Sequence, residues 1–153
     1  MFTTFSSNID SIHAKIAELR IFINIDFEFS ALCFQECQIS EGENLDHLQI
    51  PGYTCISKGK SVSRKGGLII YLLEKFEYIH RDFYSNSDIC EAQFIEIFGN
   101  NLNKNVILGN LYRPPRNSTD NYATFTDEFA QLLSLFESSN KEFILAGDTN
   151  INK

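Results

Sequence analysis

Tryptophan is absent from this chain, so any aromatic core must be built from its 14 phenylalanines and 6 tyrosines. No apolar run approaches the roughly 18 residues that cross a bilayer as a helix. The opening Met1-Phe2-Thr3-Thr4-Phe5 has neither the charged segment nor the cleavage site of a secretory leader. A membrane anchor and a signal peptide are therefore not expected. Positive charge is in deficit: 13 Lys and Arg against 20 Asp and Glu, a net charge of −7. That balance argues against holding nucleic acid through the bulk field of the protein. Cysteine is too sparse for a metal clasp. Cys33 and Cys37 fall in an extended segment that holds them apart, Cys55 and Cys90 stand alone, and no second close pair exists. The four read as free thiols serving as small hydrophobes. There is no internal repeat, low-complexity stretch or interdomain linker.

What is present fits one domain with a sizeable core: 153 residues, 43% of them hydrophobic. Phe2 to Phe5 reads as a short strand. Ile9, Ile12, Ile16, Leu19 and Ile23 recur at helical spacing, which predicts a helix over 9–23. Ala31 to Phe34 is a continuous apolar run, as in a strand buried on both faces. Residues 38–52 read as a loop with one helical turn. Further strands are expected at Tyr53–Ile56, Leu68–Leu73, Phe76–His80 (as the partner of 68–73), Ala92–Phe98, Asn105–Tyr112 and Phe143–Ala146. Pro114-Pro115 ends the strand Asn105–Tyr112, and a second amphipathic helix follows over 121–137. The order predicts mixed α+β layers, with helices covering a sheet rich in antiparallel pairs.

Polar groups sit where these strands run out. Asn8 follows the first, Glu36 follows Ala31–Gln35, Tyr112 and Arg113 close Asn105–Tyr112, and Asp148 and Asn150 follow the last. If the strands share one layered core, amides, carboxylates and a phenol meet at one rim. Hard oxygen donors of this kind suit Mg²⁺, which keeps several waters and takes one or two protein carboxylates plus substrate phosphate. Metal-assisted attack of water on phosphorus is the matching chemistry. Each residue also has a structural reading: Asn8 as a helix cap, Glu36 as a surface residue, Tyr112 as a ring over the sheet edge, Asp148-Thr149-Asn150 as an Asx turn. Lys58, Lys60, Arg64 and Lys65 fall within eight residues. Such a run fits a phosphate-binding rim, and it also fits solvated turns.

Asn8-Ile9-Asp10-Ser11-Ile12, Phe34-Gln35-Glu36, Gly66-Gly67-Leu68-Ile69-Ile70-Tyr71, Asn110-Leu111-Tyr112-Arg113-Pro114-Pro115 and Gly147-Asp148-Thr149-Asn150, in that order, resemble the endonuclease/exonuclease/phosphatase superfamily. The Tyr-Arg-Pro-Pro form is similar to the apurinic-type endonuclease domain of non-LTR (LINE-type) retrotransposons. The resemblance implies an α+β (α/β) four-layered sandwich and a phosphodiesterase using Mg²⁺, with Mn²⁺ as a substitute. It makes Glu36 the principal metal carboxylate, joined by Asn8. Tyr112 would contact the scissile phosphate, Asp148 would orient or activate the attacking water, and Asn150 would stabilise the transition state. DNA is the implied partner, nicked for target-primed reverse transcription, with Lys58, Lys60, Arg64, Lys65 and Arg113 as backbone contacts and the nucleus as the place of action. A reverse transcriptase domain is expected downstream in an intact element. The family continues past its Asp-Asn element with more strands and a late Ser-Asp-His. His13, His47 and His80 all precede Asp148 and match no catalytic position. Residues 1–153 are thus expected to be a single partial domain, incomplete at the C-terminus, that nicks plasmid poorly. The alternatives are an inactive remnant of such an element and a phosphatase of the same superfamily; Tyr-Arg-Pro-Pro favours the nuclease branch.

Overall fold

A computed structural model describes residues 1–24, 28–61, 64–84, 88–115 and 119–151. The elements are β1 (Thr4–Asn8), α1 (Ile12–Ile23), β2 (Ala31–Gln35), a 3-10 turn (Asp46–Leu48), β3 (Tyr53–Lys58), β4 (Leu68–Leu73), β5 (Glu77–Arg81), β6 (Glu91–Phe98), β7 (Val106–Tyr112), α2 (Thr119–Glu137) and β8 (Glu142–Asp148). They form two four-stranded sheets, ordered β1-β2-β4-β3 and β5-β6-β7-β8. β1 pairs β2 in parallel and β7 pairs β8 in parallel, while the other ladders are antiparallel.

Side-chain alternation assigns the layers. On β2, Gln35 reaches across to Asn110 of β7, so Ala31, Cys33 and Gln35 face the second sheet. Phe34 faces the other way. It meets Phe5, which in turn lies 5.3 Å from Phe22 of α1. On β7, Asn110 and Leu108 look inward, whereas Ile107 and Leu111 cluster with Phe125, Leu132 and Phe136 of α2. The result is helix, sheet, sheet, helix: the four-layered sandwich that the resemblance implies. Phenylalanines are the largest apolar units in both outer layers, and Phe34, Phe125 and Phe136 are fully buried. Each such side chain removed from water is worth roughly 1.5–3 kcal/mol.

One pairing differs from the sequence reading. Phe76–His80 is not the partner of Leu68–Leu73; β5 lies in the other sheet, beside β6. β4 is buried along its whole length and already flanked by β2 and β3, so neither edge is free for a hairpin. β5 has mostly exposed side chains, as an edge strand does. The free thiols match expectation: Cys33, Cys37 and Cys90 are buried and Cys55 partly so. Burial pushes the Cys33 and Cys90 thiols up to about 12, far from the reactive thiolate range. Among the described residues, no helix is long and apolar enough to cross a membrane.

An ion cluster around the buried Glu96 carboxylate links β5, β6, the β6–β7 turn and the residue before β8. Glu96 receives Arg81 Nε at 2.7 Å, Lys141 Nζ at 2.8 Å and Asn105 Nδ2 at 2.8 Å. Burial alone would raise its pKa, but these hydrogen bonds outweigh it and hold the carboxyl at about 2. A carboxyl depressed on folding stabilises the native state above its unfolded pKa and yields that stability as pH falls through the folded one. Glu96→Gln is therefore expected to cost on the order of 3 kcal/mol at neutral pH. The gap between variant and wild type should close as pH drops from about 4.5 to about 2. Urea unfolding across that range checks it, and a constant gap would refute it.

Candidate active site

The parallel pairs bring the C-terminal ends of four strands to one rim. Asn8 stands opposite Gln35 and Tyr112 opposite Asp148 in their ladders. Across the sandwich, Asn8 Nδ2 donates to Asp148 Oδ2 at 3.3 Å, joining residues 140 positions apart. Asn8 is not a helix cap. α1 begins at Ile12, with Ser11 in the cap position at φ 84° and no side-chain cap bond. The Asn8 Oδ1 instead accepts the Asp10 N–H at 3.3 Å. Glu36, one residue past β2, is half-buried, and its carboxylate has no hydrogen-bond or ion-pair partner among the described residues.

Asp148 serves two partners with its two oxygens. Oδ2 meets Asn8 and Oδ1 accepts the Asn150 N–H at 3.3 Å, so the Asx turn and the contact across the rim coexist. Asn150 Nδ2 donates to the Arg113 carbonyl at 2.8 Å. The Tyr112 ring is 2% exposed and lies on the same face of β7 as Asn110, between the sheets at the level of Asp148. It is buried, so it does not cover a solvent-exposed sheet edge.

Backbone strain gathers at this rim. Among the described residues, those other than glycine with positive φ are Asp10, Ser11, Glu36, Gln38 and Asn150, and all of them lie in the loops that leave β1, β2 and β8. Such conformations cost of order 1–3 kcal/mol each and persist where surrounding bonds enforce them. The enforcing bonds are visible: Ser11 N–H to the Glu36 carbonyl at 2.8 Å, Cys37 N–H to Gly67 at 3.0 Å, Gln38 N–H to Gly66 at 2.8 Å.

Three buried polar residues that sequence reasoning left without a role support the rim. Asn110 is fully buried; its amide donates to the Phe34 and Ile69 carbonyls and accepts Gln35 Nε2 at 2.7 Å. It thereby bonds three strands from both sheets. Glu91, 1% exposed, accepts the Gly67 N–H at 2.9 Å and the Ser61 N–H at 2.5 Å, fastening the basic connection to β6. A Cβ on Gly66 would fall 2.3 Å from Glu91 Oε1, so a larger residue there would have to push the Glu91 carboxylate aside. The available signal was a polar residue inside an apolar run: Gln35 after Leu-Cys-Phe, Asn110 within Val106–Tyr112, Glu91 between Cys90 and Ala92.

The five expected cationic contacts divide. Lys60, Arg64 and Lys65 are exposed, and Lys65 reaches Asp10 at 3.2 Å beside Asn8. That pair is solvent-exposed and worth little to stability, so the lysine is free to exchange it for a phosphate. Lys58 is half-buried and donates to the Ala92 carbonyl at 2.6 Å, inside the fold. Arg113 is corrected outright: it is 2% exposed, because its side chain alternates onto the α2 side of the sheet. There it lies 5.5 Å from the Phe125 ring centroid, and Nη1 donates to the Thr149 and Asn150 carbonyls at 3.2 and 3.3 Å. It holds the Asp148–Asn150 turn and does not face a ligand.

Comparison with known proteins agrees with this architecture. AP endonuclease LMAP from Leishmania major superposes with a TM-score of 0.72 at 16% identity, covering 96% of this chain and 54% of that one. The human Nocturnin catalytic domain, solved with a bound sulfate, gives 0.68 at 15%, covering 97% and 64%. TDP2 of D. rerio, complexed with single-strand DNA product, gives 0.69 at 14%, covering 99% and 62%. The chain thus spans 54 to 64% of the length of these three structures. No curated protein matches it significantly. The family model described as Endonuclease/Exonuclease/phosphatase family matches residues 5–153, and the chain belongs to that family.

Proposed function

We propose that this chain is the metal-dependent phosphodiesterase module of a DNA endonuclease of the non-LTR retrotransposon type. The observation that carries the reading is the meeting of Asn8 with Asp148 at one rim, beside a Glu36 carboxylate with no partner among the described residues. Those donors fit Mg²⁺ or Mn²⁺: hard oxygens, a carboxylate left free, an amide oxygen one strand away. Among the described residues no group of three or more His, Cys, Asp and Glu surrounds the place. An ion at Glu36 would draw its other ligands from water and a substrate phosphate, and would supply Lewis-acid charge to the phosphoryl oxygens.

The chain's own groups do the rest. Asp148 is held in place through both oxygens and accepts the proton of the attacking water. Asn150 spends one amide hydrogen on the Arg113 carbonyl and keeps the second for a phosphoryl oxygen. Lys65, which reaches Asp10 beside Asn8, and the exposed Lys60 and Arg64 serve as contacts to the DNA backbone, and Tyr112 is buried on the inner face of β7. The Tyr112-Arg113-Pro114-Pro115 segment supports a nuclease over a phosphomonoesterase.

Metal uptake is the direct test. The purified chain is expected to bind one Mn²⁺, read by electron paramagnetic resonance, with binding lost in Glu36→Gln and kept in Asp148→Asn. Slow nicking of supercoiled plasmid should vanish in both variants. Mn²⁺ uptake that survives Glu36→Gln would sink the assignment.

A further inference from the structure

His13, in the first turn of α1, and His47, in the 3-10 turn, face each other. His13 Nδ1 lies 2.9 Å from His47 Nε2, and the two rings are inclined by only 16°. The other nitrogen of His13, Nε2, meets Glu43 Oε1 at 3.0 Å. Glu43 is itself oriented, its Oε2 accepting the Ser40 N–H at 2.8 Å. We infer that His13 and His47 are the protein ligands of a second metal site, one for a borderline divalent transition metal such as Zn²⁺, with Glu43 as its outer carboxylate.

Three features support it. A carboxylate on Nε2 fixes the His13 proton there and turns the Nδ1 lone pair toward His47, the arrangement that orients metal-bound imidazoles. The donor spacing is nearly right: two nitrogens bound at about 2.0–2.1 Å to a tetrahedral zinc lie about 3.3 Å apart. The rings need only part by a few tenths of an ångström from their present 2.9 Å. Both backbones are anchored. The neighbouring Ile12 and Leu48 are fully buried, and Arg20 Nη2 donates to the His47 and Gln49 carbonyls at 2.8 and 2.7 Å. Binding moves the His47 proton from Nε2 to Nδ1, both nitrogens give their lone pairs to the ion, and water completes the shell. Imidazole nitrogens select Zn²⁺, Cu²⁺ or Ni²⁺ and leave Mg²⁺ to the oxygen donors of the rim. The bound ion would staple α1 to the 3-10 turn.

The experiment is calorimetric titration of the whole chain with Zn²⁺ in excess Mg²⁺. One equivalent is expected. It should be lost in His13→Gln and His47→Gln, weakened about tenfold or more in Glu43→Gln, and unchanged in Glu36→Gln and in Cys55→Ser, which removes the one thiol that is not buried. Zn²⁺ should raise the melting temperature of wild type but not of His47→Gln. Long-range ¹⁵N spectra of the wild-type imidazoles decide the matter even if a variant folds badly: His13 Nδ1 and His47 Nε2 must both shift on zinc addition. No uptake, uptake that survives the double histidine variant, or unmoved nitrogens overturns the site and leaves a shared proton between two rings.

Discussion

Gly147→Ala is expected to destabilise the protein by about 3 kcal/mol or more and to scatter the rim at the same time. Gly147 pairs with Leu111 in the β7–β8 ladder at φ 145°, where an added Cβ would stand 2.0 Å from the Leu111 carbonyl oxygen. That oxygen belongs to a strand buried along its whole length, so it cannot retreat. The end of β8 must move instead. The first bonds to go are Arg113 N–H to the Asp148 carbonyl at 2.9 Å and Asn8 Nδ2 to Asp148 Oδ2 at 3.3 Å. A misplacement of about 1 Å at a reacting group costs on the order of a hundredfold in rate, so residual nicking should disappear as well. Gly42→Ala is the control, since Gly42 has φ 74° but nothing within 4 Å of the built Cβ. It should pay only for left-handed backbone, about 1 kcal/mol. Equal losses for the two variants in urea unfolding would show that conformation, and not the collision, sets the cost at Gly147.

The same glycine marks how far the sequence could be read. The strand-end groups Asn8, Glu36 and Asp148 were legible because each follows an apolar run at a fixed place in a recognisable order, and the sandwich was legible with them. Helix α1 was placed three residues early, since Ile9 fits the apolar spacing while the positive φ of Asp10 and Ser11 does not show in residue type. β5 was assigned to the wrong sheet because hairpin proximity is the default for consecutive strands, and nothing local to Glu74-Lys75-Phe76 announces a crossing. Arg113 was read as a DNA contact from its charge. Its burial depends on strand alternation and on where α2 packs, which are long-range facts. Gln35 and Asn110 lay inside the quoted motifs without a role, because a buried amide's meaning is its partners, and those come from three strands distant in sequence.

Asn110 is accordingly the position where substitution should loosen the site most without touching it. Asn110→Leu keeps the volume but removes two donors and an acceptor from a place with no access to water. The Phe34 and Ile69 carbonyls and Gln35 Nε2 then lose the Asn110 amide, the Phe34 carbonyl keeping only the weak Cys37 thiol donor at 3.5 Å among side chains. At about 1–3 kcal/mol for each buried group left unpaired, a loss of roughly 3–5 kcal/mol follows, allowing for the Ser6 hydroxyl that still takes Gln35 Nε2. The sheets should also part at the rim end, because Asn110 is two residues from Tyr112 and bonds the β2 residues that precede Glu36. Mn²⁺ affinity should therefore fall in a variant whose metal donors are all intact. Adding Gln35→Met to Asn110→Leu separates the contributions. If the Gln35 amide, deprived of Asn110, carries part of the cost, the double variant is more stable than the single one, while the Phe34 and Ile69 carbonyls without the Asn110 donor keep it below wild type. Thermal and urea unfolding read both numbers. A single variant within about 1 kcal/mol of wild type would mean that ordered water replaces the amide, and that the two sheets are held together at the rim by packing alone.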